Sequence, residues 1–283
     1  MIPTIRQPRL VRYSYRAYVV LFFLYLALPL VVVSVFAFNN SQFPSLPWEG
    51  GTLNWLFGSE RPMIGVFHER PILRALGNSA FIAFFVSLMS VVLGATNAFL
   101  FNRYEFRMKS FFYMVMLLPL VVPGIVLGIS ILVFSSTAAN GIEEAVGWDI
   151  EALRPGLPLV ILGQFSFVTT IVTLVISARL HKFDRSLEDA ALNLGASHLT
   201  AVRTVTLPFL LPALIGGFVV AFLMSFENFN TTLMLVGSDA PLTIAMFDRM
   251  KEGSTPLLNA VSLLLMIGSS ALALMMIALQ RKG

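Results

Sequence analysis

The stretch EDAALNLGASHLTAVRTVTLP, residues 188–208, lies between two long apolar runs and carries charged and polar side chains. Apolar residues at helical spacing predict a first short helix, and Gly195 follows as a C-terminal cap. Ser197 is placed to cap the N-terminus of a second short helix, which Leu207–Pro208 is expected to end. The segment therefore predicts a helix, a glycine hinge and a helix, a folded unit too long to be a turn.

The flanking runs belong to a strongly apolar chain. Of the 283 residues, 57% are hydrophobic and 12% are charged, and the mean hydropathy is +0.82. A soluble domain carries roughly 25% charged residues, so this composition predicts an integral membrane protein. Cysteine is absent, which excludes disulfides and thiolate metal sites.

Six runs are long enough to cross a hydrocarbon core, which takes about 20 helical residues. They predict an all-α, polytopic membrane protein, with residues 17–279 forming one transmembrane domain. The first run lacks a small-residue cleavage pattern after it and is interpreted as a retained anchor. The predicted spans are residues 17–38, 78–100, 111–134, 157–178, 209–236 and 257–279.

The basic residues indicate the sides of the membrane. Segments 1–16, 101–110, 179–208 and 280–283 hold 13 of the 19 Lys and Arg residues. By the positive-inside rule, the N-terminal segment 1–16, the loop 179–208 and the tail 280–283 are cytoplasmic. The basic charge is thus explained by topology and does not call for a nucleic-acid partner.

Several kinds of enzyme motif are missing from the sequence. It contains no phosphate-binding loop of the Gly-x-x-x-x-Gly-Lys-Ser/Thr type, so ATP hydrolysis by that route needs another polypeptide. It also lacks the metalloprotease and serine-hydrolase motifs. His68, His181 and His198 lie in loops without partner ligands, so no metal site and no catalytic residue is predicted.

The opening stretch resembles the EAA signature of permease subunits in binding-protein-dependent ABC importers. Asp189-Ala190-Ala191, three residues, Gly195, nine residues and Val205-Thr206-Leu207-Pro208 follow that spacing, with Asp and Val as mild departures. Arg74–Ser79, RALGNS, also resembles the start of the family's second span. The ATPase-coupling residues that the resemblance implies are Glu188, Asp189, Ala190, Ala191, Gly195, Ala196, Ser197, Val205, Leu207 and Pro208.

The resemblance implies the type I ABC importer permease fold in a bacterial inner membrane, with both termini cytoplasmic. It also implies a second, similar permease chain, two ATPase subunits that use ATP and Mg, and an extracytoplasmic solute-binding protein. A short coupling helix around Ser197–Val205 would then dock on the ATPase. The competing interpretation of this loop is a pair of amphipathic helices on the lipid surface, although the glycine hinge and the Leu-Pro stop favour docking.

Glu227 is the only charged side chain inside the six predicted spans. A charge in a membrane helix costs about 3 kcal/mol on insertion scales, so such an acid is a functional candidate. Its surroundings, SFENFN at Ser225–Asn230, resemble the Ser-Leu-Asp-Asp motif of spermidine/putrescine permeases, with Asn228 in place of the second acid. The predicted substrate path contains Glu227, Asn228, Phe226, Phe229, Thr231, Gln164, Ser166 and Thr170.

The path assignment competes with two structural interpretations. Glu227 is expected either to meet a cation or to be protonated or hydrogen-bonded to a neighbouring helix. The hydroxyl and small residues of the second and fourth spans are more typical of helix packing than of a pathway. The sequence therefore predicts a permease subunit for a small cationic solute, with a polyamine favoured. The alternatives are an importer of an amino-acid-like or opine-like solute and, from another class, a stand-alone channel or secondary transporter.

Overall fold

The computed structural model describes residues 8–44, 46–253 and 255–280, and this part of the chain is α-helical without a strand. The predicted all-α fold class is thereby confirmed. A 3-10 turn (Glu151–Leu153) and a π-helical turn (Val202–Thr206) complete the helical structure. The α-helices are α1 (Arg9–Phe36), α2 (Asn54–Phe57), α3 (Arg70–Arg103), α4 (Lys109–Val121), α5 (Gly124–Val146), α6 (Leu157–Leu180), α7 (Ser186–Asn193), α8 (His198–Ala201), α9 (Leu207–Phe226), α10 (Asn230–Leu235), α11 (Leu242–Glu252) and α12 (Pro256–Gln280).

Among the described helices, six are long and apolar enough to cross a membrane. Each contains an 18-residue window with few charges and high mean hydropathy, as a helix in hydrocarbon requires. The chain is therefore a multi-pass membrane protein. The six helices are Leu10–Phe36, Arg70–Arg103, Gly124–Val146, Leu157–Leu180, His198–Phe226 and Pro256–Ala278.

The third predicted span, 111–134, is not a single helix. Helix α4 ends at Val121, and Val122 is extended with φ −76° and ψ 128°. The cause is Pro123, whose ring disfavours the helical conformation at the residue before it. Helix α5 then starts at Gly124 and continues to Val146, so much of the loop predicted at 135–156 is helical.

The fifth predicted span, 209–236, differs at both ends. Leu207–Pro208 does not end the preceding short helix: α8 passes through the π turn into α9, and Pro208 occupies the first turn of α9. Proline is tolerated there because the first helical N–H groups have no acceptor within the helix. At the other end, α9 stops at Phe226 and α10 begins at Asn230.

The described part of the chain divides into two compact units, and the larger comprises residues 71–248 with residues 268–280. Helix α6 supplies much of its core, including Leu159, Val168 and Val172, which are almost fully buried. Gly94 in α3 permits close packing on α6, since a Cβ there would lie 2.9 Å from the Val172 Cγ1. This buried helix is the framework for the features described below.

The smaller unit comprises the described residues within 8–70 and 249–267. Trp55 is buried and donates its indole N–H to the Asn39 carbonyl at 2.9 Å. Arg249 forms an ion pair with Glu69. Most side chains of α1 are exposed, as expected for a helix that faces lipid or another chain.

Candidate functional site

The loop between α6 and α9 folds as two short helices around a glycine. We call residues 184–208 the coupling segment. Helix α7 ends before Gly195, whose φ of +86° is the left-handed conformation that glycine adopts without strain. The Ala196 N–H donates to the Ala191 carbonyl at 3.1 Å, which closes the C-terminal turn. Ser197 then caps α8 by accepting a hydrogen bond from the Thr200 N–H at 3.2 Å.

The coupling segment exposes apolar side chains. Leu194 is 89% exposed and Leu199 is 61% exposed, and Leu187 and Leu207 are also exposed. Leu187 and Leu194 precede the membrane-spanning helix His198–Phe226, and leucines exposed outside such a helix are typical of a surface that a partner covers. Asp189, Ala190, Ser197 and Pro208 are exposed, whereas Ala191, Ala196 and Val205 are half-buried.

Glu188 lies apart from this exposed surface. Its carboxylate faces the C-terminal end of α3 and makes a bidentate ion pair with Arg103, with one N–O distance of 2.9 Å. The buried Thr206 hydroxyl also donates to Glu188 Oε1. Burial opposes ionisation, but the bonds from Arg103 and Thr206 outweigh it, so the pKa of Glu188 lies below its ordinary value. Glu188, which directly precedes Asp189-Ala190-Ala191, thus holds the coupling segment in place.

Aromatic rings surround the Arg103 guanidinium. Its Cζ lies 5.7 Å from the centroid of the Phe99 ring and 5.4 Å from that of Phe183. Phe183 also packs edge-on against Phe209 at 5.2 Å, and Arg179 lies 4.2 Å above the Phe209 ring. The coupling segment therefore packs against aromatic rings whose faces attract the Arg103 and Arg179 side chains.

The second feature is the gap between α9 and α10, residues 227–229, which we call the interruption. Gln164 in α6 bridges it, although it is only 1% exposed. Its amide N–H donates to the Thr232 hydroxyl at 2.8 Å, and its amide oxygen accepts from the Ser225 hydroxyl. One neutral side chain thus binds the end of α9 and the start of α10.

Asn228 stabilises the start of α10 locally. Its side-chain oxygen accepts hydrogen bonds from the Thr232 N–H at 3.2 Å and the Thr232 hydroxyl at 3.0 Å. Its backbone oxygen accepts from Thr243 at 3.1 Å. Asparagine competes with helical hydrogen bonding in this way, which explains why the span is broken here.

Glu227 lies at the interruption and is exposed. The predicted fifth span, 209–236, is not one helix here, because Glu227 is the C-terminal cap residue of α9 and Thr231 belongs to α10. Its carboxylate makes no hydrogen bond or ion pair with any residue that the structure describes. Phe226 stacks on Phe222 at 5.8 Å, and Phe229 packs edge-on against Phe247 at 4.9 Å.

The other predicted path residues have partners inside the chain. Thr231 is buried and donates to the Gly124 carbonyl at 3.3 Å. Thr170 is buried and donates to the Met116 carbonyl at 2.7 Å. Half-buried Ser166 bonds locally to the Gly163 carbonyl at 2.7 Å. These contacts favour the packing interpretation of the polar residues in the fourth span.

The coupling segment and the interruption also depend on residues that were not among the predicted site residues. Arg103 and Leu199 belong to the coupling segment and its support, and Thr232 and Ser225 belong to the interruption. Charge complementarity with Glu188 was a signal for Arg103, but no spacing rule brings together two residues that are 85 positions apart. Across residues 8–44, 46–253 and 255–280, no group of three or more His, Cys, Asp or Glu side chains is arranged to hold a metal.

Two curated relatives match most of the chain. Putrescine transport system permease protein PotI of Escherichia coli K12 is 29% identical over 246 residues, covering 86% of this chain and 82% of that protein. Spermidine/putrescine transport system permease protein PotC of Haemophilus influenzae is 27% identical over 268 residues, covering 94% of this chain and 96% of that protein.

A solved structure has the same fold. A chain of a bacterial ABC transporter involved in the import of the acidic polysaccharide alginate superposes with a TM-score of 0.72 at 14% identity, covering 96% of this chain and 95% of that one. The sequence profile of the binding-protein-dependent transport system inner membrane components matches residues 90–282. With the coupling segment and the interruption inside the matched range, the chain belongs to the binding-protein-dependent transport system inner membrane component family.

Proposed function

We propose that this chain is the permease subunit of an ATP-driven importer that carries a polyamine, putrescine or spermidine, into the cell. The exposed carboxylate of Glu227, directly after the end of the membrane-spanning helix His198–Phe226, carries the proposal that the solute is cationic. An amine that loses its hydration shell in the membrane needs an anion in place of the lost water. A carboxylate that has no partner among the residues that the structure describes supplies that anion. The putrescine and spermidine permeases that resemble this chain support the choice of amine.

Transport needs three further components. A second, similar permease chain would complete the pathway, two ATPase subunits would bind ATP and Mg, and an extracytoplasmic protein would deliver the solute. The exposed leucines of the coupling segment fit docking on an ATPase, since the enclosed centre of a protein interface is more apolar than its rim. ATP-driven closure of the ATPases would then move the coupling segment.

Uptake by the assembled complex tests the proposed substrate. The permease is co-produced with the ATPase, partner permease and binding protein of its own system and placed in proteoliposomes with ATP inside. ATP-dependent uptake of labelled putrescine or spermidine supports the proposal. Uptake of an amino acid or opine without polyamine uptake refutes it, and uptake without the ATPase indicates a channel or secondary transporter.

The proposed topology places both termini and the coupling segment in the cytoplasm. It is tested by single cysteines at Ser59 and Ser197, both exposed, in a chain without natural cysteine. An impermeant thiol reagent is expected to label position 59 in intact cells and position 197 only after the cells are opened. Labelling of position 197 from outside would invert the arrangement.

A further inference from the structure

The C-terminal end of α3 is joined to the coupling segment through charged side chains. Arg103 makes its bidentate contact with Glu188 of α7. Arg185, just before α7, donates to the Asn102 carbonyl at 2.7 Å. Both contacts connect residues more than 80 positions apart in the sequence. They therefore hold α3 against the coupling segment and are not local contacts within one helix.

The Arg103–Glu188 pair is largely enclosed. The side chains are 16% and 14% exposed, in contrast to the Arg74–Asp239 pair, whose side chains are 74% and 43% exposed. Exposed pairs contribute little, whereas removing one partner of an enclosed pair leaves the other charge without compensation. Arg103 is also held between Phe99 and Phe183, and a bidentate contact suits arginine better than lysine.

Glu188 joins a third element as well. Its Oε1 accepts the hydrogen bond of Thr206, the last residue of the π turn that leads into α9. One carboxylate therefore links the end of α3, helix α7 and the base of α9. A displacement of α7 cannot leave both neighbouring helices in place without breaking charge-assisted hydrogen bonds.

We infer that Arg103 is a positioning residue that ties α3 to the coupling segment through Glu188, so that motion of the segment moves α3 together with α9. The inference rests on the proposed docking of the coupling segment on an ATPase. It adds a second route for that motion, since the continuous helix His198–Phe226 alone would move α9 and leave α3 behind.

The functional test uses Arg103→Met, which keeps an unbranched apolar side chain between the two rings and removes the charge. In the assembled complex, ATP hydrolysis stimulated by the loaded binding protein should persist, while solute uptake per ATP hydrolysed falls about tenfold or more, a change of roughly 1.4 kcal/mol. Arg103→Lys should recover part of that ratio because it restores the charge without the bidentate contact. Arg74→Met, which removes the exposed pair, is the matched control and should keep the ratio of the unmodified protein.

A distance measurement gives a readout that a loss of stability would not mimic. Spin labels on cysteines at Tyr104 and Asn193, both exposed, report the separation of the α3 end from α7. With Arg103 present, this distance should stay constant when ATP binds; in Arg103→Met or, if that variant does not assemble, Arg103→Lys, it should change or broaden. A constant distance without the arginine, or uptake per ATP equal to the Arg74→Met control, overturns the inference.

The docking proposal is tested separately by Leu194→Asp. If Leu194→Asp leaves ATPase stimulation intact, the proposed docking fails, and the role of Arg103 fails with it. If Leu194→Asp abolishes stimulation while Arg103→Met matches its control, only the role of Arg103 is refuted.

Discussion

The coupling segment and the interruption lie at opposite ends of the helix His198–Phe226, but different side chains hold them. The coupling segment encloses a charged pair, Arg103 and Glu188, and exposes leucines. The interruption encloses a neutral amide, Gln164, and exposes a carboxylate, Glu227. Outside the hydrocarbon a partly enclosed ion pair can be tolerated, whereas within the membrane an amide and hydroxyls bind free helix ends at lower desolvation cost.

In each region, the exposed groups are therefore different from the enclosed groups that stabilise it. If the exposed groups act on partners, changing them should affect transport more than stability. If the enclosed groups act as supports, changing them should affect stability first. Three substitutions test that division.

The largest expected effect follows Leu194→Asp, which places a charge on the exposed apolar surface of the coupling segment. Enclosing an unpaired charge at an apolar interface costs about 2 kcal/mol or more, so affinity for the ATPase should fall roughly thirtyfold. Thermal stability of the isolated permease should not change, because the side chain is 89% exposed. Co-purification of the ATPase with the permease measures the effect.

Leu53→Asp is the matched control, since Leu53 is also exposed but precedes α2 in the smaller unit. It should leave ATPase binding unchanged. Equal binding by the Leu194 and Leu53 variants would show that the leucines of the coupling segment do not present a docking surface.

The second effect concerns Glu227→Gln, which keeps the shape of the side chain and removes its charge. A charge-assisted hydrogen bond is worth about 1.5 kcal/mol or more, so polyamine uptake should fall about tenfold with normal expression and assembly. Glu227→Asp should retain part of the activity. Labelled uptake at a fixed, subsaturating concentration measures both variants.

Glu144→Gln is the control for Glu227, because Glu144 is an exposed acid near the end of α5. It should transport normally. Normal uptake by Glu227→Gln would mean that the carboxylate is a structural group, and the assignment to the family would then stand without a cation site.

The smallest effect on transport is expected from Gln164→Leu, which fills the same space and removes the amide. Ser225 and Thr232 would lose a buried partner, so the free energy of unfolding should fall by about 1 kcal/mol. Ser166→Ala, in the same helix, removes a local hydroxyl bond and is the milder control. A Gln164 variant as stable as the control but devoid of uptake would make Gln164 a substrate contact.

The helical class and much of the coupling segment could be predicted from the sequence because they depend on local patterns. Three features depend on residues that are close in sequence. They are the lengths of the apolar runs, the N-terminal cap at Ser197 and the left-handed conformation of Gly195. The break at Val122 was also readable from Pro123, whose effect on the preceding residue is local.

The supports could not be predicted in the same way. Glu188 meets Arg103 only because the C-terminal end of α3 lies against the first turn of α7, and Gln164 reaches Ser225 and Thr232 only because α6 packs against both α9 and α10. The break at Glu227 follows from Asn228, which is compatible with a helix unless its side chain finds the Thr232 N–H. These outcomes depend on tertiary packing that spacing rules do not encode.

The continuous helix His198–Phe226 can transmit a tilt from one of its ends to the other. It contains 29 residues, which at 1.5 Å per residue makes a rod of about 43 Å. One end begins at the cap of the coupling segment, and the other ends next to Glu227. A rod of that length converts each degree of tilt at its base into roughly 0.75 Å of sideways travel at its tip. If the coupling segment docks on an ATPase as proposed, a rotation of a few degrees there is enough to shift Glu227 by the length of a hydrogen bond.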